Sequence, residues 1–153
     1  MSYAFDNSPL STLFRNYYPA RFPSLWERFN DLVESGDLLS TREVRHEIED
    51  GPIETLRQWA ADNEAIFATP TAAEGMFVAG IFAVPHFQQN IERQKLLRGG
   101  RNADPFIIAR AAVAECPVVT MEQFKDNAAK IPNICQHFGI ECLSLEQFIE
   151  REH

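Results

Sequence analysis

At 153 residues, 45% of them hydrophobic and twelve of them phenylalanine, the chain is long enough to bury one full core, and its composition argues against disorder. A formal net charge of −8 argues against a protein whose main task is gripping nucleic acid non-specifically, since that needs a basic footprint. Cys116, Cys135 and Cys142 are odd in number and form no C-x-x-C pair; with no signal peptide and no apolar run of membrane length, a reduced cytoplasmic protein is expected.

The chain opens on Tyr3 to Leu10, YAFDNSPL. An apolar run ending in an acidic residue predicts a buried strand closed by Asp6, and Ser8-Pro9 predicts a helix N-cap followed by the first helical position. Leu10, Leu13 and Phe14 then carry helical spacing until the break at Pro19 to Pro23. Leu25, Phe29, Leu32 and Val33 share one face of a second helix, which Gly36 stops. Asp37 to Ser40 is a short candidate strand. Thr41 caps the charged segment REVRHEIED, with Val44 and Ile48 on its buried side and Glu43 and Glu47 one turn apart on another face.

Ile53 to Asn63 predicts a helix with Leu56, Trp59 and Ala60 inward, while Ile66-Phe67 is too short to assign. From Thr71 the pattern is helical through Phe82, is interrupted at Pro85, and resumes in HFQQNIERQKLLRGGR. This stretch is the least regular, and reads as a helical arm rather than a core layer. Asn102 to Ala112 predicts a helix entered through Asp104 and Pro105, and Pro117 to Thr120 a buried strand with Glu122 just past its end. A further helical stretch, a strand at Ile140 to Leu143 and a helix from Leu145 to Arg151 close the chain. Strands alternating with helices predict a parallel sheet covered on both faces, and with no internal repeat residues 1–153 read as a single domain.

Ligands of open α/β sheets bind at the carboxyl ends of strands. That rule selects Asp6 and Glu122, each just after a strand, Glu47 or Glu43 on the helix after another, and Asp104 at the start of the helix leading to the Glu122 strand. Carboxylates gathered in this way repel one another, and a divalent cation is the usual remedy; an all-oxygen set suits magnesium or manganese rather than zinc. Ser8 and Thr120 are placed to support carboxylates or metal-bound waters. Each carboxylate alone has a plainer reading: Asp104 a charge favoured at a helix N-terminus, Glu43 and Glu47 a solvated helix face, Glu122 a loop residue. Shared placement is what joins them. His46, His86, His137 and His153 lack metal-ligand spacing, and His137 is expected to pack near Phe138. Arg93, Lys95, Arg98 and Arg101 form the best basic patch for RNA, whose plainer reading is a solvated helix face. Arg110 is expected to pair with a carboxylate. Tyr17, Tyr18 and Phe87 are aromatic enough to stack on bases but are more simply core.

FDNSPL, VRHEI, NADPFIIARAA and VVTMEQF, in that order, resemble the PIN domain, and the resemblance runs from residue 2 to residue 150. The aromatic-rich segments YYPARFPSLW and IPNICQHFGIECLSLEQF resemble a distinct PIN-like prokaryotic subfamily. The resemblance implies a three-layer α/β/α sandwich with a central parallel sheet, Rossmann-like in class. It also implies a magnesium- or manganese-dependent endoribonuclease, often the toxin of a VapBC-type toxin–antitoxin pair. The family's first acidic residue falls on Asp6 and its neighbouring hydroxyl on Ser8; its helix-borne Glu falls on Glu47, with Glu43 the close alternative; its third acid falls on Asp104. The fourth is usually an Asp two residues after a Thr, whereas here Thr120 is followed by Glu122. That adds one methylene to the arm and bears on whether a second metal is held.

The implied partners are an RNA substrate and an antitoxin protein, with no membrane, and the aromatic segments Tyr17 to Trp26 and Phe77 to Phe87 offer a homodimer surface. The competing reading is a catalytically weak or inactive PIN-like module acting through protein or RNA partners, favoured by the acidic net charge and by Glu122. A phosphatase or receiver domain using Asp6 as nucleophile ranks lower, because the chain reads Asp6-Asn7-Ser8 rather than D-x-D and lacks a late strand-end Lys.

Overall fold

The computed structural model describes residues 1–91 and 102–152. The first half runs β1 (Tyr3–Phe5), α1 (Asn7–Asn16), α2 (Pro23–Ser35), β2 (Leu38–Thr41), α3 (Arg42–Asp50), α4 (Glu54–Asp62) and β3 (Phe67–Ala68). The second half runs α5 (Ala72–Phe82), α6 (Asp104–Ala114), β4 (Val118–Val119), α7 (Ile131–Phe138), β5 (Cys142–Leu143) and α8 (Leu145–Arg151), with short 3-10 turns at Glu64–Ile66 and Pro85–Phe87. All five strands are parallel, in the order β3-β2-β1-β4-β5. The fold is an α/β/α sandwich around that sheet, as the alternation of elements predicts.

Side-chain alternation along β1 assigns the two covering layers. Tyr3 and Phe5 point to one face, where both meet the ring of Phe148 from α8 edge-on, and Phe5 stacks on Phe29 of α2. Trp59 of α4 and Phe14 of α1 extend that aromatic layer. Ala4 points the other way, and its small side chain lets α6 pack closely over β1 and β2. Right-handed crossovers require this division: β1 to β2 to β3 progresses along one face, and the return from β3 past β1 to β4 must use the other.

Local signals placed most ends correctly. Gly36 takes φ 79 and closes α2 in the left-handed conformation that suits glycine. Thr41 accepts from the backbone N–H groups of Glu43 (3.1 Å) and Val44 (3.4 Å) and starts α3. Two expectations are corrected. Ser8 is not the cap of α1: the helix begins at Asn7 with Asp6 in the cap position, because the Ser8 hydroxyl is taken by tertiary partners. The part of the mid-chain stretch from Ala72 to Phe82 is a core layer and not an arm, since α5 packs along α6 with Ile81 fully buried and Val78 nearly so; residues 92–101 lie outside the described residues.

Several rings of the aromatic segments pack inward, although Tyr18 to Ser24 are exposed. Trp26 packs on Phe14 and Phe29 and donates from Nε1 to the Tyr17 carbonyl (2.6 Å), and Phe87 is buried against His137 and Phe138. His137 meets Phe138 edge-on, as expected. Tyr18, at 61% exposure, and Phe22 keep their outer surfaces.

Candidate functional site

The sheet order places a switch point between β1 and β4: from β1 the chain proceeds outward to β2 and β3, then crosses back to β4 and β5. The crevice outside the carboxyl ends of two such strands is where doubly wound sheets bind ligands. Asp6 directly follows β1 and Thr120 directly follows β4, and the Asp6 N–H donates to the Val119 carbonyl at 3.0 Å.

Asp6 is only 5% exposed. Its Oδ2 accepts from the Thr120 hydroxyl (3.0 Å) and the Ser8 hydroxyl (3.1 Å), and Ser8 in turn accepts from the Met121 N–H (3.0 Å). Two hydroxyls from different strand ends therefore fix one carboxylate oxygen. The other, Oδ1, is buried with no hydrogen-bond partner. Burial raises the Asp6 carboxyl from its ordinary 3.8 to about 6, and the negative charges of Glu47 and Glu122 push in the same direction; the Asn7 N–H and the Thr120 hydroxyl oppose them. Glu47 and Glu122 are thereby identified as the charges Asp6 feels most.

Glu47 lies on α3, which Thr41 launches from the end of β2, the strand beside β1. Glu43 lies one turn earlier and is engaged on the surface: the Arg42 guanidinium binds it at 2.8 Å and the His46 ring stands 3.8 Å away. Of the two glutamates, Glu47 is the one whose charge acts on Asp6. Glu122 Oε2 accepts from the N–H of Ile131 (3.1 Å), the first residue of α7, and its own N–H donates to Thr120 Oγ1 (3.2 Å). The carboxylate thus favours the positive end of α7 and ties the two ends of the loop between β4 and α7 together.

Asp104 is 1% exposed in the first turn of α6. Because α6 runs back across the sheet toward the start of β4, its first turn lies at the same carboxyl edge as Asp6. Asp104 Oδ2 accepts from Nδ2 of Asn90 (3.0 Å), itself 1% exposed, and that amide also donates to the Ala129 carbonyl (2.9 Å). Sequence reasoning missed Asn90. The available signal was its position three residues after the buried Phe87, a polar amide on an apolar helical face. Arg110, further along α6, pairs with the buried Glu74 of α5 (3.4 Å), which is the carboxylate partner expected for it. Arg93, Lys95, Arg98 and Arg101 lie outside the described residues.

The donors suit a hard divalent cation: oxygen ligands only, repulsion to be relieved, and one buried carboxylate oxygen without a partner. Among the described residues, no three His, Cys, Asp or Glu side chains stand close enough to hold a metal ion in the conformation seen. Glu47 and Glu122 would therefore turn toward Asp6 to complete such a site. No described helix is long and apolar enough to cross a membrane. The three cysteines are free thiols; burial holds the Cys116 thiol up at about 11.

None of the curated proteins matches the chain. A family model matches residues 3–153, nearly its whole length, and the chain belongs to the DUF4411 family, a domain of unknown function.

Proposed function

We propose that the chain is a PIN-like, magnesium- or manganese-dependent endoribonuclease. The observation that carries this reading is Asp6: a buried carboxylate at the β1/β4 switch point, with Oδ1 lacking a partner and two further carboxylates raising its proton affinity. A divalent cation bound there supplies an activated water for attack on a phosphodiester and neutralises charge on the leaving oxygen. Asp6, Glu47, Asp104 and Glu122 would hold it, and Ser8 and Thr120 fix the rotamer of Asp6. No side-chain nucleophile is needed. The resemblance of the ordered motifs to PIN domains supports a cytoplasmic toxin restrained by an antitoxin, and a small DNA-binding reading frame in the neighbouring gene would favour that role.

Purified protein with magnesium or manganese is expected to cut single-stranded RNA, and Asp6→Asn and Asp104→Asn to abolish cutting while circular dichroism stays native. Wild-type rates in both variants would sink the assignment. One observation favours the second reading, a PIN-like binding module: Glu122 and Asp104 already accept hydrogen bonds from Ile131 and Asn90, an arrangement that keeps them apart without a metal. RNA bound but left intact with both metals would select it.

A further inference from the structure

Beside the acidic crevice lies an open cavity of about 320 Å³, within the size range of small-ligand pockets, whose walls are Gln89, Asn90 and the loop residues Lys125 to Lys130. Asn90 is the most buried of the polar residues named. Its Nδ2 is committed to two acceptors, Asp104 Oδ2 and the Ala129 carbonyl, so the amide cannot be turned over without losing both bonds. Its Oδ1 is therefore fixed as an acceptor, and it is buried with no hydrogen-bond partner. A buried acceptor in that state calls for a donor.

The loop is built before any ligand arrives. Glu122 joins its two ends through the Ile131 N–H, the Lys125 carbonyl accepts from Asn133 Nδ2 (2.7 Å) and the Ala128 N–H (3.0 Å), and Asn127 holds a left-handed φ of 64. His86 reaches across to the Ala128 carbonyl at 3.3 Å. Two ammonium groups, Lys125 and Lys130, outnumber the single carboxylate of Asp126 on this wall, in a chain whose net charge is −8. Phe124, next to Lys125, is 51% exposed, and exposed aromatic rings are platforms on which bases stack.

We infer that this pocket is a nucleotide subsite of the substrate RNA, in which Asn90 Oδ1 accepts from a hydroxyl or amino donor of one nucleotide and Lys125 and Lys130 hold the flanking phosphates. The inference rests on the ribonuclease reading for its substrate class, and its position one hydrogen bond from Asp104 sets the bound nucleotide beside the acidic crevice. Asn90 acts as a positioning residue, with its amide held by the same carboxylate that would hold metal.

Binding of a short single-stranded RNA, and of DNA of the same sequence, is measured by fluorescence anisotropy on the full chain in EDTA, so that neither metal nor cleavage enters. Lys125→Gln and Lys130→Gln are each expected to flatten the slope of log affinity against log salt by about 0.7, one phosphate contact on a single strand. Asn90→Ala is expected to weaken binding about two- to tenfold, the worth of one neutral hydrogen bond. A loss on RNA alone identifies the donor as the ribose 2′-hydroxyl, and an equal loss on both strands identifies a base donor. Unchanged slopes in both lysine variants, or no RNA binding by the wild type, overturns the subsite. If Asn90→Ala fails to fold, the surface lysine variants decide. Cleavage assayed separately keeps the two readings apart: an intact binding pattern without cleavage sinks only the nuclease, and cleavage with unchanged lysine variants sinks only the subsite.

Discussion

Asp6 burdens the fold whenever it is ionised, because it is buried beside the charges of Glu47 and Glu122. Its folded-state pKa of about 6 lies above the ordinary 3.8, so between those values the native state binds more protons than the unfolded chain. Stability from this group is therefore greatest below about pH 4, falls as pH rises, and levels off above pH 6. Two units of pKa correspond to roughly 3 kcal/mol. Asp6→Asn removes the charge while keeping an oxygen for Thr120 and Ser8. In metal-free urea titrations, the variant is expected to gain roughly 3 kcal/mol on the wild type between pH 4 and pH 8. A stability difference that does not change with pH would show that the Asp6 charge is not strained. The same proton competes with any cation at Oδ1, so metal affinity should fall below about pH 6.

At the scale of single elements, α3 makes the site depend on a cap. Thr41 ends β2 and starts α3, and its buried hydroxyl takes two orphan N–H groups whose helix carries Glu47 one and a half turns on. Thr41→Ala is expected to cost about 1 kcal/mol in chemical unfolding and to loosen Glu47 against Asp6, so metal affinity should drop although no ligand is altered. Equal metal affinity in the variant would separate α3 from the site. This element was fully legible: Thr41, Val44 and Ile48 mark its start and its buried side in sequence alone. The start of α1 was not, because the local Ser-Pro pattern competes with a hydrogen bond to Met121, over a hundred residues away, and the distant partner wins. For α5, apolar residues surround the helix on every side, so periodicity could not say whether it was core. The structure starts it with a capping box between Thr71 and Glu74, and Glu74 doubles as the buried partner of Arg110. β3 and its preceding turn had too few residues to carry a period.

The whole molecule explains why carboxylates far apart in sequence share one edge. In a parallel sheet every strand ends on the same side, and order β3-β2-β1-β4-β5 sets the ends of β1 and β4 next to each other. Asp6, Glu122 and one of Glu43 and Glu47 were therefore assignable to one edge from alternation alone, whereas the bond from Asn90 to Asp104 joins residues that no local pattern relates. The assembled edge concentrates negative charge in a protein of net charge −8, and a cation bound only by the native state would add stability by mass action. At one hundred times its dissociation constant, magnesium or manganese contributes about 2.7 kcal/mol. For a chain of this size that is roughly a 5–10 °C rise in Tm. Wild-type protein is expected to show that rise at pH 8 and to lose about half of it at pH 5, where protons compete at Asp6. Asp6→Asn is expected to show neither the rise nor its pH dependence, while Glu43→Gln keeps both, since Glu43 is held by Arg42 and His46 rather than by the crevice. A rise of equal size in Asp6→Asn would place the cation elsewhere on the acidic surface, and a rise lost in Glu43→Gln would move the helix-borne ligand one turn back along α3.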